Sequence, residues 1–132
     1  VKTYHDQVGY WLWEPATQTV IHTLTIPRGQ ALMAGGTVAP DAKEFELIAR
    51  QGDPYYGISS NPFLEHAFKT VEFRIKVRIN DDGTWGYSED TVMQIQGLSE
   101  PFHHTDDNIL RKVGEPTPNP LALAAQTAGA SI

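Results

Sequence analysis

Cysteine is absent from the 132 residues. That excludes disulfides, zinc–thiolate sites, iron–sulfur clusters and a thiolate-ligated haem, although it does not by itself fix the compartment. Positive charge is scarce: 10 Lys and Arg stand against 16 Asp and Glu, giving a net charge of −6. Such a surface repels phosphates, so no nucleic-acid partner is expected. No apolar run approaches the length needed to span a membrane, and no membrane partner is expected either. There is no internal repeat and no stretch with convincing helical amphipathicity. Nucleophile-elbow, P-loop and HExxH patterns are missing as well. The first residue is Val1 rather than Met, which is compatible with a removed targeting segment. The expected compartment is the cytoplasm.

What is present is β-strand pattern. Val71, Phe73, Ile75, Val77 and Ile79 alternate with Glu72, Arg74, Lys76 and Arg78. A period of two over this length is a half-buried strand with one face in water, as in antiparallel sheets. Extending the phase backwards predicts that Lys69 faces inward with Val71 and Phe73. An interior ammonium is costly unless it is paired or reaches water, so Lys69 is either a residue at the strand's mouth or an anchor for a carboxylate or propionate. Arg74 and Arg78 fall on the outward phase.

Further strands are predicted at Tyr4–Trp13, Thr19–Ile26, Gln30–Val38 (kinked at Gly35-Gly36), Phe45–Arg50, Trp85–Ile95 and Asn108–Val113. A single helical turn is expected at Phe63–Phe68. Asn80-Asp81-Asp82-Gly83 is a strong hairpin signal, and Trp85, Tyr87, Met93 and Ile95 share one face of the returning strand. In the first strand the odd set (His5, Gln7, Gly9, Trp11, Trp13) and the even set (Tyr4, Val8, Tyr10, Leu12) are similarly apolar. Alternation alone does not decide which points in, and Trp11 and Trp13 read first as core or barrel wall. Residues 1–114 are predicted to form one all-β domain, an antiparallel up-and-down barrel with a ligand cavity. Residues 115–132, rich in Pro and Ala, are predicted to be a disordered tail.

His103-His104 precedes the last predicted strand. Neighbours on an extended chain point opposite ways, so at most one of the two imidazoles can enter a cavity. Neutral imidazole can ligate haem iron, and without cysteine the protein ligand is limited to His, Tyr or Met. Asp81-Asp82 and Asp106-Asp107 read as solvated turn residues, since no calcium-loop spacing is present.

The order of these segments resembles the nitrobindin family. The resemblance runs from His5-Asp6-Gln7-Val8-Gly9-Tyr10 and TVIHTLTIPRG through Lys69-Thr70-Val71 and the Trp85 strand to Pro101-Phe102-His103-His104 and Leu110-Arg111. It implies a ten-stranded barrel of lipocalin or fatty-acid-binding-protein type holding ferric haem b, of which six or seven strands are visible here. The implied activity is nitric oxide binding and isomerisation of peroxynitrite to nitrate, which makes the chain a haem-dependent peroxynitrite isomerase. The family's axial ligand is a histidine near the final strand. An ungapped alignment puts Thr105 there, a one-residue shift brings in His104, and a two-residue shift brings in His103. His104 is therefore the preferred metal ligand, with His103 as the alternative. Lys69 and His5 match pocket residues of the family, and Trp11 is added to the expected haem contacts. The family's Gly-rich opening segment and about three further strands have no counterpart in this sequence, so the resemblance implies that the barrel is completed by a longer protein or by another chain. A homodimer is one expectation. The competing function is a carrier of a small apolar or amphipathic ligand without haem, in which Lys69 would meet a carboxylate.

Overall fold

The computed structural model describes residues 5–129. Tyr4, assigned above to the first strand, lies outside them. Seven strands form one antiparallel sheet in the order β1 (Val8–Glu14), β2 (Thr19–Ile26), β3 (Gln30–Thr37), β4 (Glu44–Arg50), β6 (Phe68–Ile79), β7 (Trp85–Ile95) and β8 (Phe102–Leu110). A short strand, β5 (Ile58–Ser60), pairs with the start of β3. The expected all-β, up-and-down architecture is what the chain adopts. Among the described residues β1 and β8 each have one strand neighbour and form the rims of the sheet.

The sheet has one apolar face. Leu24, Leu32, Ala34, Leu47, Ala49, Phe73, Ile75 and Val77 are buried there in a continuous cluster. Trp11 on β1 meets Trp85 on β7 edge to face at 5.5 Å, so the sheet curls until strands far apart in its order touch across the interior. We call this the concave face. It closes at one end around the β6–β7 hairpin. There Gly83 takes φ 82° and the Asn80 N–H donates to the Thr84 carbonyl at 2.9 Å, as the Asn80-Asp81-Asp82-Gly83 signal predicts.

At the other end, helix α1 (Pro62–Ala67) fits the expected helical turn. It starts with a proline and is capped by Asn61, whose Oδ1 accepts from the Leu64 N–H at 2.9 Å. Gln51 ties the helix down by donating to both Glu65 carboxylate oxygens, at 2.9 and 2.8 Å.

Register settles the first strand. Trp11 pairs with His22 and Gly9 with Leu24, so the odd residues face the interior. Tyr10, 75% exposed, and Val8, 71% exposed, project from the convex side. Gly9 is required by close approach: a Cβ there would stand 1.8 Å from the Thr23 carbonyl oxygen.

Two expectations are corrected. The last strand is Phe102–Leu110, not Asn108–Val113, so the two histidines lie within it rather than before it. Residues 120–127 of the supposed tail form a helix, α2 (Pro120–Thr127), with Asn119 Oδ1 accepting from the Leu121 N–H at 3.0 Å. It buries none of its residues, so local capping and small helix-forming side chains account for it.

Candidate functional site

The β6–β7 ladder slips at one place. Thr70 pairs with Met93, but the next partner, Val92, is taken by Glu72, leaving Val71 as the extra residue of a bulge. A bulge reverses the alternation. From Phe73 to Ile79 the odd residues face inward as predicted, but before the bulge the even ones do. Thr70, 2% exposed, faces the interior and accepts a hydrogen bond from Gln30 Nε2 at 2.9 Å. Lys69 pairs with Gln94 on the convex face. The inward phase expected for Lys69 is therefore wrong, and the reason is this one extra residue, Val71.

The consequence for charge is general. Arg50, Arg74, Lys76 and Arg78 share the convex side, where Arg74 binds Glu46 at 2.8 Å and Glu72 at 3.0 Å, and Arg50 binds Glu72 at 2.9 Å. Burial pushes the Glu72 carboxyl up, and the Arg50 and Arg74 hydrogen bonds outweigh it, leaving the group below its ordinary value. Lys69 is the one further lysine or arginine of the strands and is also convex, so among the described strand residues none projects into the concavity.

The two adjacent histidines separate as strand geometry requires. His103 pairs with Val92 on the convex face, and its Nδ1 contacts Asp90 Oδ2 at 2.9 Å. His104 pairs with Thr91, which in turn pairs with buried Phe73, so its imidazole is on the concave side. No described residue hydrogen-bonds to it. Beside it, Asp106 pairs with Glu89 and Asn108 with Tyr87, all on the same face. Asn108 Nδ2 donates to Asp106 Oδ2 at 2.7 Å. His5 precedes β1, its Nε2 lies 2.9 Å from Gln7 Oε1, and it is close enough to Glu89 for its charge to act on that carboxyl. His104, His5, Glu89 and Asp106 thus border one concave region. The residues that define it come from both rims of the sheet.

Glu89 is the most perturbed group. Its Oε1 is buried without a hydrogen-bond partner. Loss of hydration, then repulsion from Asp106, push its carboxyl up to about 7 against an opposing effect of His5. Loss of hydration, with Glu89 next, also raises the Tyr87 phenol.

A carboxyl raised above its unfolded value weakens the fold where it must ionise. Glu89→Gln should therefore stabilise the protein above pH 7, by about 1–2 kcal/mol after allowance for solvent screening of a partly exposed group. The gain should shrink towards zero near pH 4.5, the ordinary carboxyl value. Urea unfolding of both proteins at pH 5 and pH 8 checks this, and an equal difference at the two pH values would refute it.

Deeper in, Trp11 stacks on His22 with ring centroids 3.9 Å apart and an interplanar angle of 9°. Burial lowers the His22 imidazole below its ordinary value, against a smaller opposing effect of the Tyr10 carbonyl. In the neutral ring Nδ1–H donates to that carbonyl at 3.3 Å. Trp11, Trp13, Phe45, Ile79 and Trp85 line a cavity of about 370 Å³ at the hairpin end, which His104 and His5 do not reach. Trp11 is thus part of the wall, stacked on His22 and edge-on to Phe45 and Trp85. His22 and Glu89 were not among the sequence candidates. Phase could have found both, since His22 alternates with Val20 and Leu24, and Glu89 lies between Tyr87 and Met93 on a face already identified by its large apolar residues.

This is the wall of a ligand-binding β-barrel, with an apolar floor and a few polar groups near its rims. The family model for the THAP4-like, heme-binding beta-barrel domain matches residues 1–112. The chain belongs to that family. No individual curated protein matches it.

The residues present fit a haem. One uncommitted imidazole stands over an apolar concave surface, and a single axial histidine needs no cluster of ligands. Consistent with that, no group of three or more His, Cys, Asp or Glu suited to a metal ion occurs among the described residues. Among those residues, too, no helix is long and apolar enough to cross a membrane.

Proposed function

We propose that this domain binds ferric haem b through His104 and that the bound haem takes nitric oxide and isomerises peroxynitrite to nitrate. The observation that carries the assignment is the division of the dipeptide: His103 is held by Asp90 on the outer surface, whereas His104 is free on the inner one. When bound, the haem supplies a Lewis-acidic iron for small oxygen and nitrogen ligands. The chain supplies the remaining functions. His104 fixes the cofactor, Phe73 and Trp11 provide apolar surface that limits water, and His5 and Glu89 are the polar groups nearest the open side. No described strand lysine or arginine stands on the concave face to meet haem propionates, which belong at its solvent margin.

The carrier reading loses its anchor for a ligand carboxylate, because Lys69 is outside the wall. Titration of the purified protein with hemin tests the proposal. A saturable Soret band that shifts on adding nitric oxide supports it, and loss of peroxynitrite with a nitrate yield above that of free hemin supports the activity. Absence of a saturable band would refute it.

A further inference from the structure

Three regions of the molecule differ in what they could recognise. The aromatic cavity at the hairpin end is lined by aromatic and aliphatic side chains, with no charged side chain to define a ligand beyond apolar bulk. The exposed apolar row Val8, Tyr10 and Leu12 on the convex side of β1 has nothing in the structure to indicate what covers it. The concave region near His104 is different, because its charge is one-sided.

We propose that Glu89 is a specificity-determining residue of this site, setting its preference for neutral or cationic ligands over anions. Three observations carry this. Glu89 faces the interior, in register with Ile75 on one side and Asp106 on the other. Its Oε1 is buried and has no hydrogen-bond partner among the described residues. All lysines and arginines of the strands lie on the opposite face, so no described strand cation stands beside it.

The groups that face it are Asp106 and Tyr87 from the neighbouring ladder positions and His5 from the segment before β1. His104 is on the same face two positions from Asp106. Among the described residues the cation that acts on its carboxyl is the His5 imidazole. A carboxyl near 7 is mostly ionised at pH 8. In a poorly hydrated site its charge then acts over several ångströms with little screening.

The inference rests on the haem reading for one corollary only. Of the two small ligands proposed above, neutral nitric oxide is favoured over the peroxy anion while Glu89 is ionised. A cationic ferric centre is likewise favoured over an anionic guest. The charge preference itself belongs to the protein and is measurable without haem.

The test uses the haem-free chain at pH 8 with two fluorescent probes of similar size. One is neutral N-phenyl-1-naphthylamine and the other is anionic 1-anilinonaphthalene-8-sulfonate, each followed by quenching of tryptophan emission. Glu89→Gln should tighten the anion by about tenfold and change the neutral probe by less than about twofold, as expected for removing one like charge at close range. Asp107→Asn removes the same charge from the convex face and should change neither.

Equal effects of Glu89→Gln on both probes, or an equal effect of Asp107→Asn on the anion, would overturn the proposal. In hemin-loaded protein the same substitution should tighten azide and leave nitric oxide unchanged. Failure to form the Soret band would refute the haem reading alone, and the two-probe result would still decide the role of Glu89.

Discussion

Phe73→Ala should lower the unfolding free energy by about 3–5 kcal/mol, the largest stability effect expected of a single truncation in this chain. The ring is 4% exposed and belongs to the continuous core cluster. It pairs laterally with Ala49 and Thr91, both small, so neither can extend to fill the space left behind. It also follows the bulge, where the strand is already bent and the chain has little freedom to collapse inward. The transfer of the ring to water and the residual cavity therefore add. Urea unfolding monitored by tryptophan fluorescence measures it, with Lys76→Ala on the convex face as a control expected to stay within about 0.5 kcal/mol. A loss below 1 kcal/mol for Phe73→Ala would show that this face is not the core.

His104→Ala should reduce hemin affinity by about a hundredfold or more, since loss of an outer-shell partner alone commonly costs about 10–100-fold. His103→Ala should leave the affinity within about twofold. The contrast follows from the ladder, in which Val92 and Thr91 present the two imidazoles to opposite sides of β8. His103 is also already engaged with Asp90, and recruiting it would require breaking that contact and turning the strand over. Difference spectra at the Soret maximum across a hemin titration decide the matter. If His103→Ala abolishes the band and His104→Ala does not, the facing of β8 has been inverted and the axial assignment fails.

Much of the fold could be read from the residues because alternation reports burial directly. The stretch from Phe73 to Ile79 has an apolar and a charged set, and each stands where its chemistry requires. The hairpin at Asn80–Gly83 was equally plain, since only a few residues tolerate that backbone.

What could not be read has physical causes. A bulge inserts one residue without a compositional mark, and Val71 disguised it by being apolar in the expected phase. Lys69 was carried to the wrong side as a result. The first strand was ambiguous because both of its faces are apolar, one against the interior and one exposed as Val8, Tyr10 and Leu12. The last strand was misplaced because Phe102 to Leu110 is polar over most of its length and lies at a rim where neither face is fully covered.

Of the site, the divergence of His103 and His104 to opposite faces follows from the rule that neighbours diverge, whereas which of the two faces inward comes from the register of the ladders. The separation of all strand cations from the concavity required the register of every ladder, which no local pattern contains. Glu89 was passed over because a glutamate among aromatics reads as an exposed interruption. Its position is set by the register of β7, which turns it to the same face as Tyr87 and opposite Asp106.

Among the described residues β1 and β8 have no partner on their outer edges, which has one more implication. A closed cylinder admits a guest through its top, but a sheet curled upon itself with a lateral slot admits a flat one edge-on. The polypeptide that bridges such a slot and the molecule that slides into it would stabilise each other, because each binds better to the shape the other selects. Residence time would then be governed by the unzipping of backbone hydrogen bonds along the seam rather than by the polarity of the chamber.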